Sequence, residues 1–329
     1  MITTRWRVLL HSMTFKRDFG PVYILSKLLE KLGCECVVAN NRNLLTKRLR
    51  LWNPHAVIFL TLSRMRDIKK VFPKAKLFYY SGEAGDNSVL SPEYLIIKDP
   101  FLYNSISKTY LWGNTLAKAL LADFKKFKHL PSNKDFESKF FLAGNPSIDI
   151  AKYGLKCSTN DRKIKIGLIG SFSLINNPNA SLIYSLYETN SNTHYAVYNI
   201  VFEEARFQVN LLETYKTIIE KLDPNKYEVS FRPYPLESMD NYKEVTFFTR
   251  HNVTIDDSIS FFTWLSNQDV ILGGSSTTII QLMITNRPYI NLDLLHNRTT
   301  VPDDLKRLEC IKSKHCPKTM DELFYMIER

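Results

Sequence analysis

Residues 6–10, Trp-Arg-Val-Leu-Leu, and residues 22–33, Val-Tyr-Ile-Leu-Ser-Lys-Leu-Leu-Glu-Lys-Leu-Gly, decide the predicted fold. The first run is short and mostly apolar, which favours a buried strand. In the second run the apolar residues recur at intervals of three and four, which predicts an amphipathic helix. Gly33 is placed to end this helix, because glycine readily adopts the left-handed conformation found after helix ends. A second strand is predicted at 36–39, so the chain opens as strand, helix, strand.

The alternation continues through the first half of the chain. Further short runs of apolar and aromatic residues are predicted as strands at 56–60, 76–80, 94–97, 109–112 and 139–142. A helix is predicted from Asn114 to about Lys128. Repeated strand–helix alternation implies a parallel sheet that is covered by helices on both faces.

A change of pattern marks a domain boundary. The polar stretch 153–162 precedes a new strand at 163–169, so we predict an amino-terminal domain over 1–155 and a carboxyl-terminal domain over 163–329. The second half then repeats the plan. Helices are predicted near 203–222 and 258–266, and strands at 227–232, 268–272 and 289–292.

The end of the chain carries a helix-start signal. Residues 319–322, Thr-Met-Asp-Glu, form a capping box for a terminal helix, which could pack back on the amino-terminal domain. The predicted fold class is α/β, with two Rossmann-like domains facing one another across a cleft.

Composition excludes several classes of protein. The 329 residues suffice for about two domains, and 44% hydrophobic with 23% charged residues excludes disorder and low complexity. No apolar run approaches the roughly 18 residues of a membrane helix, and no signal-peptide core is evident, so we predict a cytoplasmic protein. The five cysteines are odd in number and contain no CxxC pair, so neither a disulfide framework nor a four-ligand zinc site is indicated.

The net charge of +11 favours anionic partners such as nucleic acid, acidic lipid headgroups or phosphorylated substrates. The densest basic run, 125–128, belongs to no recognisable nucleic-acid module, so no nucleic-acid partner is predicted. Peripheral, salt-sensitive association with the inner face of the cytoplasmic membrane is predicted instead. The lysines of the predicted helix 114–128 are the candidate contacts.

Residues 273–278, Gly-Gly-Ser-Ser-Thr-Thr, lie between a predicted buried strand and a predicted helix. Backbone N–H groups and hydroxyls at a helix start suit a phosphate group. The alternative is a tight turn in which Ser275 or Ser276 caps the helix. The segment is neither a Walker motif nor a GxGxxG fingerprint, which argues against an ATPase and a NAD-dependent enzyme.

A second candidate segment is 231–237, Phe-Arg-Pro-Tyr-Pro-Leu-Glu, at the carboxyl end of a predicted strand. Two prolines stiffen the loop at the sheet edge where doubly wound folds bind ligands. Arg232 could bind a phosphate there. The alternative is an ion pair between Arg232 and a nearby carboxylate such as Glu237.

Several short motifs occur in an order that resembles the carboxyl-terminal half of GT-B glycosyltransferases. They are 232–237, 263–265, 268–270, 274–278 and 286–290. Earlier segments also fit, at 16–18, 110–113, 143–146 and 167–174. More narrowly, the chain is similar to the bacterial surface carbohydrate biosynthesis family, which is related to Kdo and sialic acid transferases of capsule and lipopolysaccharide synthesis.

The resemblance implies a nucleotide-sugar donor, in that family a CMP-linked acidic sugar such as Kdo or a sialic acid, and a glycan or lipid-linked glycan acceptor. The donor-binding residues that it implies are Arg232, Tyr234, Gly274, Ser275, Ser276, Thr277 and Gln281. Tyr234 stands where the family commonly has histidine, and Gln281 where it commonly has glutamate. Two alternatives therefore stay open: an inactive GT-B protein that binds or assembles carbohydrate, and a polyol-phosphate transferase that uses a CDP-linked donor.

A glycosyl transfer with inversion needs a carboxylate that accepts the proton of the acceptor hydroxyl. Residues 81–87, Ser-Gly-Glu-Ala-Gly-Asp-Asn, follow a predicted strand of the acceptor domain and offer Glu83 as the first candidate and Asp86 as the second. The alternative is a turn in which Asp86 caps and Glu83 is solvated. Lys16, Arg17 and Asp18 could line the acceptor side, or could form a surface loop.

The seven histidines show no HExxH or HxH spacing, and no Asp-x-Asp follows an apolar run. We therefore predict no metal, and no cofactor beyond the nucleotide-sugar that serves as substrate. Ser275 and Ser276 lack the GxSxG context of a serine hydrolase.

Overall fold

The computed structural model describes residues 5–12, 15–40, 42–62, 64–81, 92–124, 126–127, 133–145, 149, 163–176, 195–235, 237–244, 246–258, 260–275, 278–285, 287–298 and 315–328. The chain divides into two compact units, residues 1–153 and 154–329. Each unit contains its own parallel sheet and its own hydrophobic core.

The first unit contains a parallel sheet with the strand order β2-β1-β3-β4-β5-β6. Its strands are β1 Arg7–Ser12, β2 Glu35–Asn40, β3 Ala56–Phe59, β4 Lys76–Tyr80, β5 Ile106–Leu111 and β6 Phe140–Leu142. Its helices are α1 Phe15–Lys31, α2 Lys47–Trp52, α3 Met65–Val71, α4 Pro92–Lys98, α5 Pro100–Ser105, α6 Asn114–Phe124 and α7 Asn133–Lys139.

Side chains of the central strand β1 alternate between the two faces of this sheet. Val8 and Leu10 pack with Val22 of α1 on one face. Leu9 belongs to the larger cluster on the other face, which contains buried residues of α3, α5 and α6. Helices therefore cover both faces, as the alternation of strands and helices predicts.

The end of α1 is the predicted glycine stop. Gly33 has a φ of 88°, in the left-handed region. The Gly33 N–H donates to the Glu30 carbonyl at 2.9 Å, and the Cys34 N–H donates to the Leu29 carbonyl at 3.0 Å. These two bonds form a Schellman motif, which satisfies carbonyls at the helix end and turns the chain into β2.

The strand predicted at 94–97 is wrong, because these residues lie inside α4. Tyr94, Ile96 and Ile97 are buried while Leu95 is exposed, which is the spacing of a helix face. Pro92 at the helix start and Glu93 in its first turn are favourable helix-start residues. In so short an apolar run, these flanking signals outweigh β-propensity.

The second unit contains a parallel sheet with the strand order β11-β10-β7-β8-β9. Its strands are β7 Ile164–Ile169, β8 Tyr227–Arg232, β9 Thr254–Ile255, β10 Val270–Gly273 and β11 Tyr289–Asn291. Its helices are α8 Tyr195–Lys221, α9 Met239–Glu244, α10 Thr246–Arg250, α11 Phe261–Ser266, α12 Thr278–Thr285 and α13 Met320–Glu328, with a short 3-10 helix at Leu294–His296. In sequence order within the unit, this sheet reads 3-2-1-4-5, the doubly wound arrangement.

The terminal helix α13 begins at the predicted cap. The Glu322 N–H donates to Thr319 Oγ1 at 3.2 Å, while the Glu322 carboxylate accepts the Lys318 N–H at 2.7 Å. Leu323 and Ile327 are buried in the core of the second unit. Among the helices of the described residues, none is long and apolar enough to cross a membrane.

Candidate functional site

The candidate site lies at the carboxyl edge of the second sheet, where neighbouring strands β7 and β10 end. After β7 the chain continues to β8 on one side, and after β10 it continues to β11 on the other side. The connections that follow β7 and β10 therefore run in opposite directions, and a crevice lies between them. Doubly wound sheets bind ligands in such a crevice. The residues that follow the two strands are Gly170 and Gly274.

Both glycines are required by close packing. A Cβ on Gly170 would lie 2.8 Å from the Tyr234 nitrogen and 2.8 Å from a carboxylate oxygen of Glu237. A Cβ on Gly274 would lie 2.7 Å from Phe207 Cζ and 3.1 Å from an Asp293 carboxylate oxygen. These positions accept only glycine without displacement of backbone or ring, so the loops after β7 and β10 have a fixed path.

Helix α8 packs against the ends of β7 and β10 and holds the two loops that follow them. The Tyr215 hydroxyl is fully buried and contacts the Ile169 carbonyl at 2.8 Å and the Leu272 carbonyl at 3.2 Å, at the ends of β7 and β10. Gln208 Oε1 accepts the Leu174 N–H at 3.0 Å. One face of α8 therefore fixes the floor of the crevice.

The loop after β10 is held by a buried carboxylate. The Ser275 N–H donates to both oxygens of Asp293 at 3.1 and 3.2 Å. The Asn291 side-chain amide donates to Ser275 Oγ at 2.8 Å. The Ser275 N–H and hydroxyl therefore already bond to residues at and after the end of β11. A phosphate at this loop would bind to donors that follow Ser275 in the chain. Ser276 and Thr277 lie outside the described residues.

Arg298 connects this loop to α8. Its guanidinium forms a bidentate ion pair with Glu204 at 2.9 to 3.1 Å, and it contacts Asp293 at 3.2 Å. It also donates to the Ser275 carbonyl at 3.0 Å and lies 4.2 Å from the Phe207 ring centroid. One largely buried cation thus balances the buried carboxylate of Asp293 and the partly buried carboxylate of Glu204. We call Arg298, Glu204, Asp293 and Ser275 the loop clamp.

On the other side of β7, Arg232 ends strand β8 and is buried. Its guanidinium forms an ion pair with Asp256, and donates to the Ser258 hydroxyl at 2.9 Å and the Ser258 carbonyl at 3.0 Å. The partner is therefore Asp256, which directly follows the neighbouring strand β9, rather than Glu237.

Glu237 instead connects the loops after β7 and β8. Its carboxylate accepts the Phe172 N–H, the Tyr234 N–H at 3.0 Å and the Tyr242 hydroxyl at 2.8 Å. Burial raises its pKa from 4.5 to about 7, although all three hydrogen bonds favour the charged form. A carboxyl group that changes charge near neutral pH is therefore built into this edge of the sheet.

We expect stability to depend on pH through Glu237. Because its pKa is higher in the folded state, the native protein keeps a proton that the unfolded chain releases, so stability falls as pH rises from 4.5 to about 7. At about 1.4 kcal/mol per pH unit over this range, the contribution is on the order of 3 kcal/mol. Urea unfolding across this range should show the fall for the wild type relative to Glu237→Gln. Parallel pH profiles for the two proteins would contradict the assignment.

The remaining residues predicted to bind the donor are Tyr234 and Gln281. Tyr234 lies in the loop after β8 and is exposed. Gln281 lies in α12, and its side chain is outside what the structure describes. The two predicted donor segments thus flank β7 at one edge of one sheet, since β10 and β8 are its neighbours.

On the acceptor side, Lys16, Arg17 and Asp18 lie in the first turn of α1, rather than in a surface loop. Asp18 is buried, and the side chains of Lys16 and Arg17 lie outside what the structure describes. Glu83 and Asp86 also fall outside the described residues.

The segment that carries Glu83 and Asp86 has fixed ends. Ser81 Oγ donates to the buried Glu93 carboxylate at 2.5 Å, and the Tyr79 hydroxyl donates to the same carboxylate at 3.2 Å. Ser81 and Glu93 flank residues 82–92, so a hydrogen bond joins the two ends of this segment. Within the described ranges, no group of three His, Cys, Asp or Glu side chains could hold a metal ion.

Comparison with known proteins identifies the fold. No protein-family model matches the chain, and no curated protein sequence matches it. A crystal structure described as a UDP-N-acetylglucosamine 2-epimerase from Listeria monocytogenes is similar over 99% of this chain and 89% of that one, with a TM-score of 0.54 and 12% identity. A UDP-N-acetylglucosamine 2-epimerase from Rickettsia bellii is similar over 98% and 87%, with a TM-score of 0.50 and 14% identity. The chain has the GT-B fold. The predicted α/β class with two Rossmann-like domains is therefore confirmed.

Proposed function

We propose that the protein is a nucleotide-sugar enzyme that transfers a sugar from a nucleotide-activated donor to a glycan. The observation that carries this proposal is the crevice between the ends of β7 and β10, with a Gly-Gly-Ser loop that leads into helix α12. A helix start and its N–H groups favour the phosphates of such a donor. The names of the two structural neighbours, which both specify UDP-N-acetylglucosamine, agree with a nucleotide-sugar as ligand.

The chemistry divides between the two units. In the second unit, donors at the loop after β10 and the dipole of α12 would stabilise the charge that develops on the leaving phosphate. In the first unit, Glu83, or Asp86 in its place, would accept the proton of the acceptor hydroxyl. We propose an inverting transfer that needs neither a metal nor a cofactor.

The identity of the donor is a finer part of the proposal. The sequence motifs favour a CMP-linked acidic sugar such as Kdo or a sialic acid, whereas the names of the structural neighbours favour a UDP-linked sugar. The proposed acceptor is a glycan or lipid-linked glycan of the bacterial surface, as in capsule or lipopolysaccharide synthesis. Peripheral association with the cytoplasmic membrane would give access to a lipid-linked acceptor.

A non-catalytic carbohydrate-binding or assembly protein is the second candidate. It is favoured by the contacts of two residues that the resemblance assigns to the donor, because Arg232 pairs with Asp256 and the Ser275 N–H pairs with Asp293. A polyol-phosphate transferase with a CDP-linked donor is the third candidate. Its product would keep a phosphate that a glycosyltransferase product lacks.

A panel of CMP-, CDP-, UDP- and GDP-linked donors tests the proposal. Ligand at about 100 times its dissociation constant should stabilise the protein by about 2.7 kcal/mol, which a thermal shift detects. Mass analysis of products then separates transfer, donor hydrolysis and phosphate-retaining transfer. Binding without turnover would favour the non-catalytic candidate, and no shift with any donor would overturn the proposal.

Arg232 offers a narrower prediction. We expect Arg232→Lys to lower the free energy of unfolding by about 1 to 2 kcal/mol, because lysine cannot reproduce the contacts to both Asp256 and Ser258. Nucleotide affinity should change less than about threefold, since these contacts already use the guanidinium donors. Urea unfolding and nucleotide titration measure the two effects. A large loss of affinity at unchanged stability would instead support a phosphate contact.

A further inference from the structure

Helix α1 carries an exposed apolar stripe. Its buried face holds Val22 and Ser26, while Ile24 and Leu28 lie on the outer side. Leu32, directly after the last helical residue, continues this row at the same four-residue interval, and its N–H donates to the Leu28 carbonyl at 3.2 Å. These three side chains are 42%, 52% and 80% exposed. Four-residue spacing places them one above another along the helix, so they form one continuous stripe. Scattered exposed leucines are ordinary, but an ordered row is not.

A second row runs beside the stripe. Tyr23, Lys27 and Lys31 also follow at four-residue intervals and are exposed. The Lys27 ammonium lies 5.3 Å from the Tyr23 ring centroid and 2.7 Å from a carboxylate oxygen of Glu30. Long lysine side chains beside an apolar row can keep their charge in water while the apolar residues enter a less polar layer. We call the six residues of the two rows the α1 surface.

We propose that the α1 surface docks on an anionic lipid membrane, with Ile24, Leu28 and Leu32 in the interfacial layer and Lys27 and Lys31 at the headgroups. An amphipathic helix with apolar and basic rows is suited to lie in the plane of such an interface. The net charge of +11 adds attraction to an anionic surface. A symmetric contact between two copies would bring the lysine rows near one another, which disfavours a second copy as the occupant.

Helix α6, whose lysines the sequence offers as membrane contacts, is less suitable for this role. The exposed described side chains of α6 are Asn114, Lys118 and Ala122, whereas Leu120 is buried and Leu116 and Leu121 are partly buried. This helix therefore offers a lysine but no exposed apolar row. The inference names the surface behind the proposed peripheral association. Its biological purpose, access to a lipid-linked acceptor, rests on the proposed function, whereas binding to vesicles does not.

Vesicle sedimentation tests the inference. With about 30 mol% phosphatidylglycerol in phosphatidylcholine, the wild type should bind, and about 0.5 M salt should weaken binding severalfold. Ile24→Ser with Leu28→Ser should lower the partition constant at least about tenfold. Leu95→Ser with Leu142→Ser is the matched control, since these leucines are 45% and 54% exposed, and it should bind as the wild type does.

The charged row is tested separately. Lys27→Gln with Lys31→Gln should remove most of the preference for anionic over neutral vesicles, whereas Lys118→Gln with Lys126→Gln should keep it. Equal binding of all variants would overturn the inference. So would a wild-type dimer that becomes monomeric in Ile24→Ser with Leu28→Ser, because a second copy would then occupy the surface. Thermal shifts of the same variants with nucleotides test the proposed function separately, because a variant that loses vesicle binding should still bind nucleotide.

Discussion

Arg298→Ala is expected to lower the free energy of unfolding by about 3 to 5 kcal/mol. The substitution removes the cation that pairs with both Glu204 and Asp293, and it leaves the buried Asp293 carboxylate and the partly buried Glu204 carboxylate without that partner. It also removes the donor to the Ser275 carbonyl and the contact with the Phe207 ring. Urea unfolding followed by tryptophan fluorescence measures the loss.

Helix α8, which carries Glu204, offers a matched control. Arg206 pairs with Glu203 at 3.1 Å, but its side chain is 69% exposed. Arg206→Ala should therefore cost less than about 1 kcal/mol. Hydrogen exchange at the Ser275 amide should accelerate in Arg298→Ala and not in Arg206→Ala, because only the first loosens the loop clamp. Similar losses for the two variants would show that the clamp does not stabilise the loop.

Glu83→Gln is expected to lower turnover roughly 10²- to 10⁴-fold, with donor affinity nearly unchanged. Glutamine keeps the size and most of the hydrogen bonding of glutamate but cannot accept a proton from the acceptor hydroxyl. Steady-state kinetics with a donor identified by the panel, together with donor titration, separates the two effects.

Asp86→Asn is the comparison variant and should be milder. Near-normal turnover in Glu83→Gln with loss in Asp86→Asn would reverse the two roles. Full activity in both variants would place the catalytic carboxylate outside this segment. Neither result would affect the nucleotide site that we propose in the second unit.

The sequence predicted most strands because their limits are marked locally. β4 and β8 were predicted to the residue, since each strand-forming run is bounded by turn-forming or charged residues. The prediction at 94–97 failed because four apolar residues fit either period, and the helix-start residues Pro92 and Glu93 favour the helical one. Helix α8 begins eight residues before the predicted start at Glu203. Helix starts without a clear cap are poorly marked.

The candidate site was predictable only in part. The loop after β10 and the segment after β8 were found because glycine and proline clusters mark strand ends. The loop clamp was missed because Glu204 and Arg298 are 94 residues apart and no local pattern joins them. The pairing of Arg232 with Asp256 depends on β8 and β9 being neighbours, which sequence spacing does not reveal. The signal that could have found Asp293 is the Asn-Leu-Asp run at the end of β11, a polar cluster at the sheet edge.

A crystal structure of the protein soaked with the nucleotide that gives the largest thermal shift tests the location of the site most directly. The phosphates should lie between the loop that follows Ile169 and the loop that follows Gly273, at the start of α12. The clamp contacts of Arg298 should be unchanged. Nucleotide density at another place on the second unit, or no density at a saturating concentration, would contradict a nucleotide-sugar site at the ends of β7 and β10.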